Sequence, residues 1–404
     1  MARRVQAQRE GVHQHTIFEI GVRRLADIAE APSPEQPATK LFFVVLALMG
    51  IGVAIQAGHA ATTAPGFAAW FAIVREHLVF RVAGIVALIA SYYLGPRGVR
   101  RFLPVLLVGS ALLLVMVYIE PFGGRINGAR RWVRLLPGLS FQPSELARIV
   151  LVLWIADRCV RLSEKLHDFR RGFLPMLAVV LTFFALVAGE TDLGGSLLLF
   201  FVAIATMWVG GGRVTHLALS VVGFGGGAIT AAAALIPYVR SRIDMFLGPV
   251  VNDQVQDSLQ AISLGGIDGL GLAQGVVRTS GTPYLNSDYV FSQIGEELGF
   301  FGTALVLLLF VSFLWFSLRL VLSVRDRYAA LAAFGLLLSV AMQAMIHIQV
   351  NAGLAPPKGM TLPFISAGGT SLIVSSIAVG LALGASRHAR PATPVALGDL
   401  SPES

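Results

Sequence analysis

Arg131, Asp192, Asp288 and Lys358 lie far apart in a 404-residue chain, each in a short polar stretch bounded by long apolar ones. A carboxylate at the aqueous edge of an apolar helix can take a proton from a hydroxyl as that hydroxyl attacks an electrophile. Arginine and lysine at the same level can hold phosphate oxygens, arginine through its planar fork and lysine as a point charge. The combination suits a reaction or a transport step on an amphiphile with an anionic headgroup.

Each stretch also has a plainer reading. Asn286-Ser287-Asp288-Tyr289 runs directly into an apolar segment, so Asp288 is either a helix N-cap or a base at the mouth of a bundle. In Gln142-Pro143-Ser144-Glu145-Leu146-Ala147-Arg148, proline suits the first helical turn. Glu145 and Arg148 stand i, i+3 on one face, as a local ion pair or as a polar wall with Arg148 aimed at phosphate. Glu190-Thr191-Asp192 joins two spans, and Asp192 could cap the second. Lys358 is the only basic residue in the proline-rich connection Pro356–Pro363. Ser366-Ala367-Gly368-Gly369 follows, where a helix start offers amides to an anion or needs only capping. Gly295-Glu296-Glu297-Leu298-Gly299 places two acids inside an apolar helix, where each costs at least ~2.5–3.5 kcal/mol unless it pairs or lines a cavity. His347 reads as an interhelical hydrogen-bonding residue, and Cys159 needs no function. The chain has no Walker-type phosphate loop, no HExxH and no nucleophile elbow.

The elements that must hold these residues are membrane helices. The chain is 55% hydrophobic and 13% charged, against roughly 45–50% and about 25% in soluble proteins, with a mean hydropathy of +0.73. That balance excludes a soluble enzyme and a disordered chain. The net charge of +8 fits basic residues at membrane edges better than nucleic-acid binding. A single cysteine excludes a disulfide framework and a cysteine-based metal site.

The pattern predicts an all-α polytopic membrane protein of about ten transmembrane helices, near 41–57, 78–95, 102–119, 144–158, 173–189, 193–210, 215–237, 290–318, 328–351 and 365–385. Residues 1–40 and 386–404 read as polar tails around a membrane domain at 41–385, and no cleavable signal peptide is visible. With both tails in the cytoplasm, inner segments carry 20 Lys and Arg and outer ones 9, which supports that orientation. Arg125, Arg130, Arg131 and Arg134 break the rule in the outer segment 120–142, as an anionic ligand would require. The longest connection, 238–289 between helices seven and eight, alternates glycine turns with apolar residues. It reads as short amphipathic helices on the outer membrane surface.

The polar stretches, in order, resemble those of the SEDS family of bacterial envelope growth, the FtsW, RodA and SpoVE type. The matching stretches are Asn127-Gly128-Ala129-Arg130-Arg131-Trp132, Gln142-Pro143-Ser144-Glu145, Asp192-Leu193-Gly194, Asp288-Tyr289-Val290-Phe291 with 295–299, and Pro357-Lys358-Gly359 through Leu362-Pro363-Phe364-Ile365-Ser366 to Gly368-Gly369. Departures are Glu190-Thr191 for Gln-Pro, Asn286-Ser287 for His-Thr, Arg148 for Lys, Ala367 for Tyr and His347 for Asn. Lys358-Gly359-Met360 looks closer to the division-type FtsW branch than to the elongation-type RodA branch.

The resemblance implies a ten-helix bundle in the bacterial inner membrane that polymerises lipid II by inverting glycosyl transfer, at the septum if FtsW-type. It implies Asp288 as the catalytic base, with Arg131, Glu145, Arg148, Asp192, Lys358 and Ser366 binding substrate. Trp132, Gln142, Glu296 and Glu297 would support them. It implies no evident cofactor, although a divalent cation could bridge the pyrophosphate. The implied partners are lipid II, the undecaprenyl-pyrophosphate-linked glycan, a class B penicillin-binding protein and the divisome proteins, and no nucleic acid. A lipid II flippase is the alternative, with the same cations and no need of a base.

Overall fold

A computed structural model describes residues 35–120, 123–126, 129–136, 139–227, 253–277 and 287–388, with a few isolated positions between 230 and 244. The expected tails up to 34 and from 389, Asn127, Gly128, Asn286 and, of the 238–289 connection, 245–252 and 278–286 lie outside the described residues.

The chain runs α1 (Glu35–Thr63), α2 (Phe67–Arg100), α3 (Leu103–Met116), β1 (Gly123–Ile126), β2 (Ala129–Leu136), β3 (Leu139–Phe141), α4 (Pro143–Leu162), α5 (Leu174–Gly189), α6 (Leu193–Val209), α7 (Val214–Ser220), α8 (Asp253–Gly265), α9 (Val290–Ser323), α10 (Arg327–Asn351) and α11 (Gly369–Gly384). Six described helices are long and apolar enough to cross a membrane: α1, α2, the α5 segment from Phe169, α9, α10 and the α11 segment. α3, α6 and the helical stretch Val214–Gly226 are shorter apolar helices. The molecule is a multi-pass helical membrane protein, with leucine, valine and phenylalanine exposed along α2, α3 and α9 where lipid is the solvent.

Three local readings are corrected by the fold. α1 is already helical at Glu35, the first described residue, ahead of the expected boundary at 41, and takes Pro37 into the helix. Residues 386–388, expected in the tail, extend α11 as a short 3-10 turn. The chain is not wholly α-helical, since β1, β2 and β3 form an antiparallel sheet in the order β1-β2-β3. Its register pairs Gly124 with Trp132 and Val133 with Phe141.

Close packing follows from small residues. A Cβ on Gly380 would overlap the Leu88 carbonyl and one on Gly84 the Leu372 side chain, so α2 and α11 approach backbone to backbone. α8 buries Val255, Ser258, Ala261 and Gly265 against α9. The described chain after it, 266–277, is tied into the bundle. Leu270 and Gly271 donate to the carbonyls of Glu296 and Glu297, and Phe300 N–H donates to Gly266 O. Those bonds are possible because Gly299 breaks α9 at φ +64°, a conformation that glycine adopts without strain.

Candidate active site

The site is centred on the turn between α5 and α6. Thr191 takes a positive φ of 63° there, and Asp192 becomes the N-cap of α6. Asp192 Oδ1 accepts the Gly195 N–H at 2.9 Å, so the capping reading holds. The same carboxylate does more. Its Oδ2 accepts Gln142 Nε2 at 3.3 Å, and Lys358 Nζ lies 3.9 Å from Oδ1. Gln142 is in place because Pro143 starts α4 immediately after it, with Gln142 extended in the N-cap position. Arg131 reaches the turn from β2, donating Nη2 to Thr191 O at 2.5 Å. Lys358 Nζ also meets Met360 Sδ at 2.7 Å.

Two acids in this turn are driven in opposite directions. Burial alone would raise Asp192, but Lys358, Arg131, the Gly195 N–H and Arg148 together hold it below the usual carboxylate range. Glu190 is buried, and among the described residues neither of its carboxylate oxygens is hydrogen-bonded. Burial pushes it up to about 9, Asp192 adds to that, and Arg131 only partly offsets it. Asp192 is therefore an anion facing cations, while Glu190 is a neutral acid at pH 7. From the sequence Glu190 is only a departure from the family pattern. Its signal was an ionisable residue replacing an uncharged one beside a charged cluster.

Behind Asp192 a polar chain crosses the bundle. Arg148 Nη2 donates to Gln343 Oε1 at 2.7 Å, and Gln343 Nε2 donates to Thr361 O at 3.0 Å and to Thr361 Oγ1 at 3.1 Å. Thr361 Oγ1 meets Ser371 Oγ at 2.8 Å, and Ser371 in turn bonds the Glu145 carboxylate. Glu145 and Arg148 do not close an ion pair among the described residues. Each is spent on a different helix, so their shared face is an internal wall. Gln343 and Thr361 are uncharged and so gave no sequence signal.

Asp288 reaches the same region from α9. The N-cap position of α9 is Tyr289, with no side-chain cap bond, and the first-turn N–H of Ser292 donates to Asn351 Oδ1 of α10. The capping role offered to Asp288 by its position is thus filled from α10. The Asp288 carboxylate instead lies against Gly359, where a Cβ would sit 2.7 Å from Oδ2. Ser366 Oγ donates to Ser287 O at 2.7 Å and accepts the Leu362 N–H. It holds the Asp288 segment and the 359–366 segment together.

Other expected members stand apart. Trp132 follows Arg131 on β2 and pairs with Gly124 of β1, beside a bulge where the register shifts. Glu296 Oε1 accepts the N–H groups of Val276 and Val277, and Glu297 Oε2 accepts that of Ala273. These acids pin the chain after α8. His347 Nδ1–H donates to Met360 O at 2.6 Å, so it is hydrogen-bonded, but to the connection between α10 and α11 and not to a second helix.

Between α6 and α10 lies a cavity of about 390 Å³. Leu197, Phe201, Met342 and Ile346 line its length, and Arg131, Asp192, Lys358 and Gly359 close its end. Among the described residues no group of three or more His, Cys, Asp or Glu side chains is arranged to hold a metal.

An apolar cavity between membrane helices, closed at one end by two cations and an acid, defines a membrane protein that handles an amphiphile with a charged head. The chain belongs to the cell cycle protein family of FtsW, RodA and SpoVE, whose family model matches residues 38–391. It is similar to the "Probable peptidoglycan glycosyltransferase FtsW" of Geobacter sp., 30% identical over 86% of this chain and 96% of that protein. It is 33% identical to stage V sporulation protein E of Bacillus subtilis, over 88% and 98% of the two chains. A chain of a peptidoglycan synthase complex, solved for its coordination of polymerization and crosslinking, superimposes with a TM-score of 0.70. It is 28% identical, over 86% of this chain and 96% of that one. A variant of the rod shape determining protein RodA of Thermus thermophilus gives 0.63 at 25% identity, over 87% and 97%.

Proposed function

We propose that this chain is a peptidoglycan glycosyltransferase that polymerises lipid II at the outer face of the bacterial inner membrane. The observation that carries the reading is the apolar cavity ending in Arg131, Asp192 and Lys358. The first isoprene units of a polyprenyl tail suit its apolar wall and a pyrophosphate its cationic end. The growing strand on undecaprenyl pyrophosphate is the donor. The 4-hydroxyl oxygen of the incoming lipid II attacks the donor's anomeric carbon from the face opposite the pyrophosphate, so the configuration inverts. The bond from that carbon to the pyrophosphate oxygen breaks, and the electron pair leaves with the pyrophosphate. Asp288 takes the hydroxyl proton as the new bond forms. Lys358 and Arg131 stabilise the charge that develops on the leaving pyrophosphate. Asp192 is their counter-charge and keeps Lys358 aimed, while Arg148 and Glu145 brace the wall behind it.

The reading needs no resident cofactor, and a divalent cation arriving with the pyrophosphate is compatible with it. The short apolar helices α3, α6 and Val214–Gly226, together with α4, bring the crossings to ten, with both termini cytoplasmic. A class B penicillin-binding protein supplies the cross-linking chemistry this helical domain lacks. The lysine at 358 and the FtsW relatives favour the division branch, and hence the septum and divisome partners.

The test is glycan formation from labelled lipid II by the purified protein, with and without the transpeptidase partner. Asp288→Asn should lose at least ~10²-fold in rate, the usual cost of removing a general base, while the protein stays folded. Polymer from Asp288→Asn at the wild-type rate would leave the mechanism without its base. Translocation of lipid II with no polymer from the wild-type protein would make the chain a flippase.

A further inference from the structure

The backbone at Asp288 is held from two sides. On one side Ser366 donates its hydroxyl to Ser287 O at 2.7 Å. On the other, Asn351 Nδ2 donates to Asp288 O at 3.1 Å. Two successive peptide carbonyls are therefore each gripped by a side chain from a different element, immediately before α9 begins.

Asn351 is fully buried at the end of α10, and all of its side-chain bonding capacity is used. Oδ1 accepts both the backbone N–H of Ser292, at 3.1 Å, and its hydroxyl, at 3.0 Å. Nδ2 donates to His347 O at 2.9 Å as well as to Asp288 O. The main-chain carbonyl of Asn351 takes the Ser258 hydroxyl of α8 at 2.7 Å, and the hydroxyls of Ser258 and Ser292 touch. An amide is the side chain suited to this place. It accepts from the open first turn of α9 and donates to the carbonyl preceding that turn, with no charge to bury. A residue used only for helix packing would not need to reach past α9 to the Asp288 carbonyl.

We propose that Asn351 is a positioning residue for the glycosyl-transfer base. It fixes the Asp288 peptide against α10 while Ser366 fixes the neighbouring peptide, so that the carboxylate rests on Gly359 at the charged end of the cavity. The proposal rests on Asp288 being the base. The clamp acts on the main chain, so it sets where the carboxylate stands and leaves substrate binding to Arg131 and Lys358.

The experiment is steady-state lipid II polymerisation by the full-length protein, with kcat, KM and thermal unfolding measured on each variant. Asn351→Ala should lower kcat by about 10- to 10²-fold, the cost of misplacing a reacting group by about 1 Å, with KM unchanged. Ser258→Ala removes a bond from the same buried node without touching residue 288, and should keep kcat near the wild-type value even if its unfolding temperature falls. If Asn351→Ala does not fold, Asn351→Ser replaces it. That hydroxyl can still bond within the α10 turn but is too short to reach Asp288 O, and the same loss of kcat is expected. Equal kcat losses in the Asn351 and Ser258 variants, tracking their stability, would overturn the proposal, as would a wild-type kcat in Asn351→Ala or Asn351→Ser. Asp288→Asn is measured in parallel. A wild-type rate there removes the base itself, whereas a loss there with no loss in the Asn351 variants removes only the clamp.

Discussion

Gly359→Ala adds one methyl group at the point where the mechanism is most sensitive. Its Cβ would sit 2.7 Å from Asp288 Oδ2 and 3.4 Å from Cγ. Ordinary contact begins near 3.4 Å, so the carboxylate must retreat by about 0.7 Å. Gly359 does not have a positive φ, so alanine fits the backbone, and losing a glycine reduces unfolded-chain entropy, worth about 0.4–1 kcal/mol in favour of folding. The variant should thus fold at least as well as the wild type. Catalytic groups must be held within about 0.5 Å of their working position, and a shift near 1 Å costs up to ~10²-fold. A loss of roughly tenfold or more in kcat is expected in the lipid II polymerisation assay. Gly50→Ala is the matched control, because a Cβ there meets nothing within 4 Å. A folded Gly359→Ala protein with wild-type kcat would show that the carboxylate can shift without consequence, and the reasoning that places the base there would fail.

Gly194→Ala should act on the other half of the site, since its Cβ would overlap the Lys358 ammonium. Polymerisation should fall in the wild-type background and show no further fall in a Lys358→Ala background, as a double-mutant cycle would reveal. Glu190 gives a pH signature. From its ordinary value of 4.5 up to about 9 the folded chain holds a proton that the unfolded chain has released. Stability therefore drops as pH rises through that window, by at most about 1.4 kcal/mol per pH unit. Glu190→Gln should flatten that slope and unfold at a higher temperature than wild type under alkaline conditions, measured by thermal shift across the window. For the topology, in a Cys159→Ala background Gln260→Cys should be labelled only from outside and Lys165→Cys only from inside, both being exposed. Reversed labelling would invert the orientation.

Hydropathy alone determined that this chain lives in a membrane and where most helices run. The transfer free energy of a segment is a sum over its own residues and needs no knowledge of its neighbours. The same logic marked Asp192, Asp288, Glu296, Glu297 and Arg148, because an ionisable group at membrane depth is costly wherever it ends up. What each of them does depends on which helices become neighbours, and that is a property of packing. Glu296 and Glu297 looked as much like site residues as Asp192 did. The break at Gly299 turned Glu296 toward the Val276 and Val277 amides and Glu297 toward that of Ala273, whereas the α5–α6 turn delivered Asp192 to Gln142 and Lys358. The i, i+3 spacing of Glu145 and Arg148 left an ion pair open, and Gln343 and Ser371 on two other helices took the partners away. Asn351, Gln343 and Thr361 carry no charge and so leave no mark on a hydropathy profile. Their roles exist only where separate elements meet, since a hydrogen bond is set by distance and direction between groups that the chain itself keeps far apart.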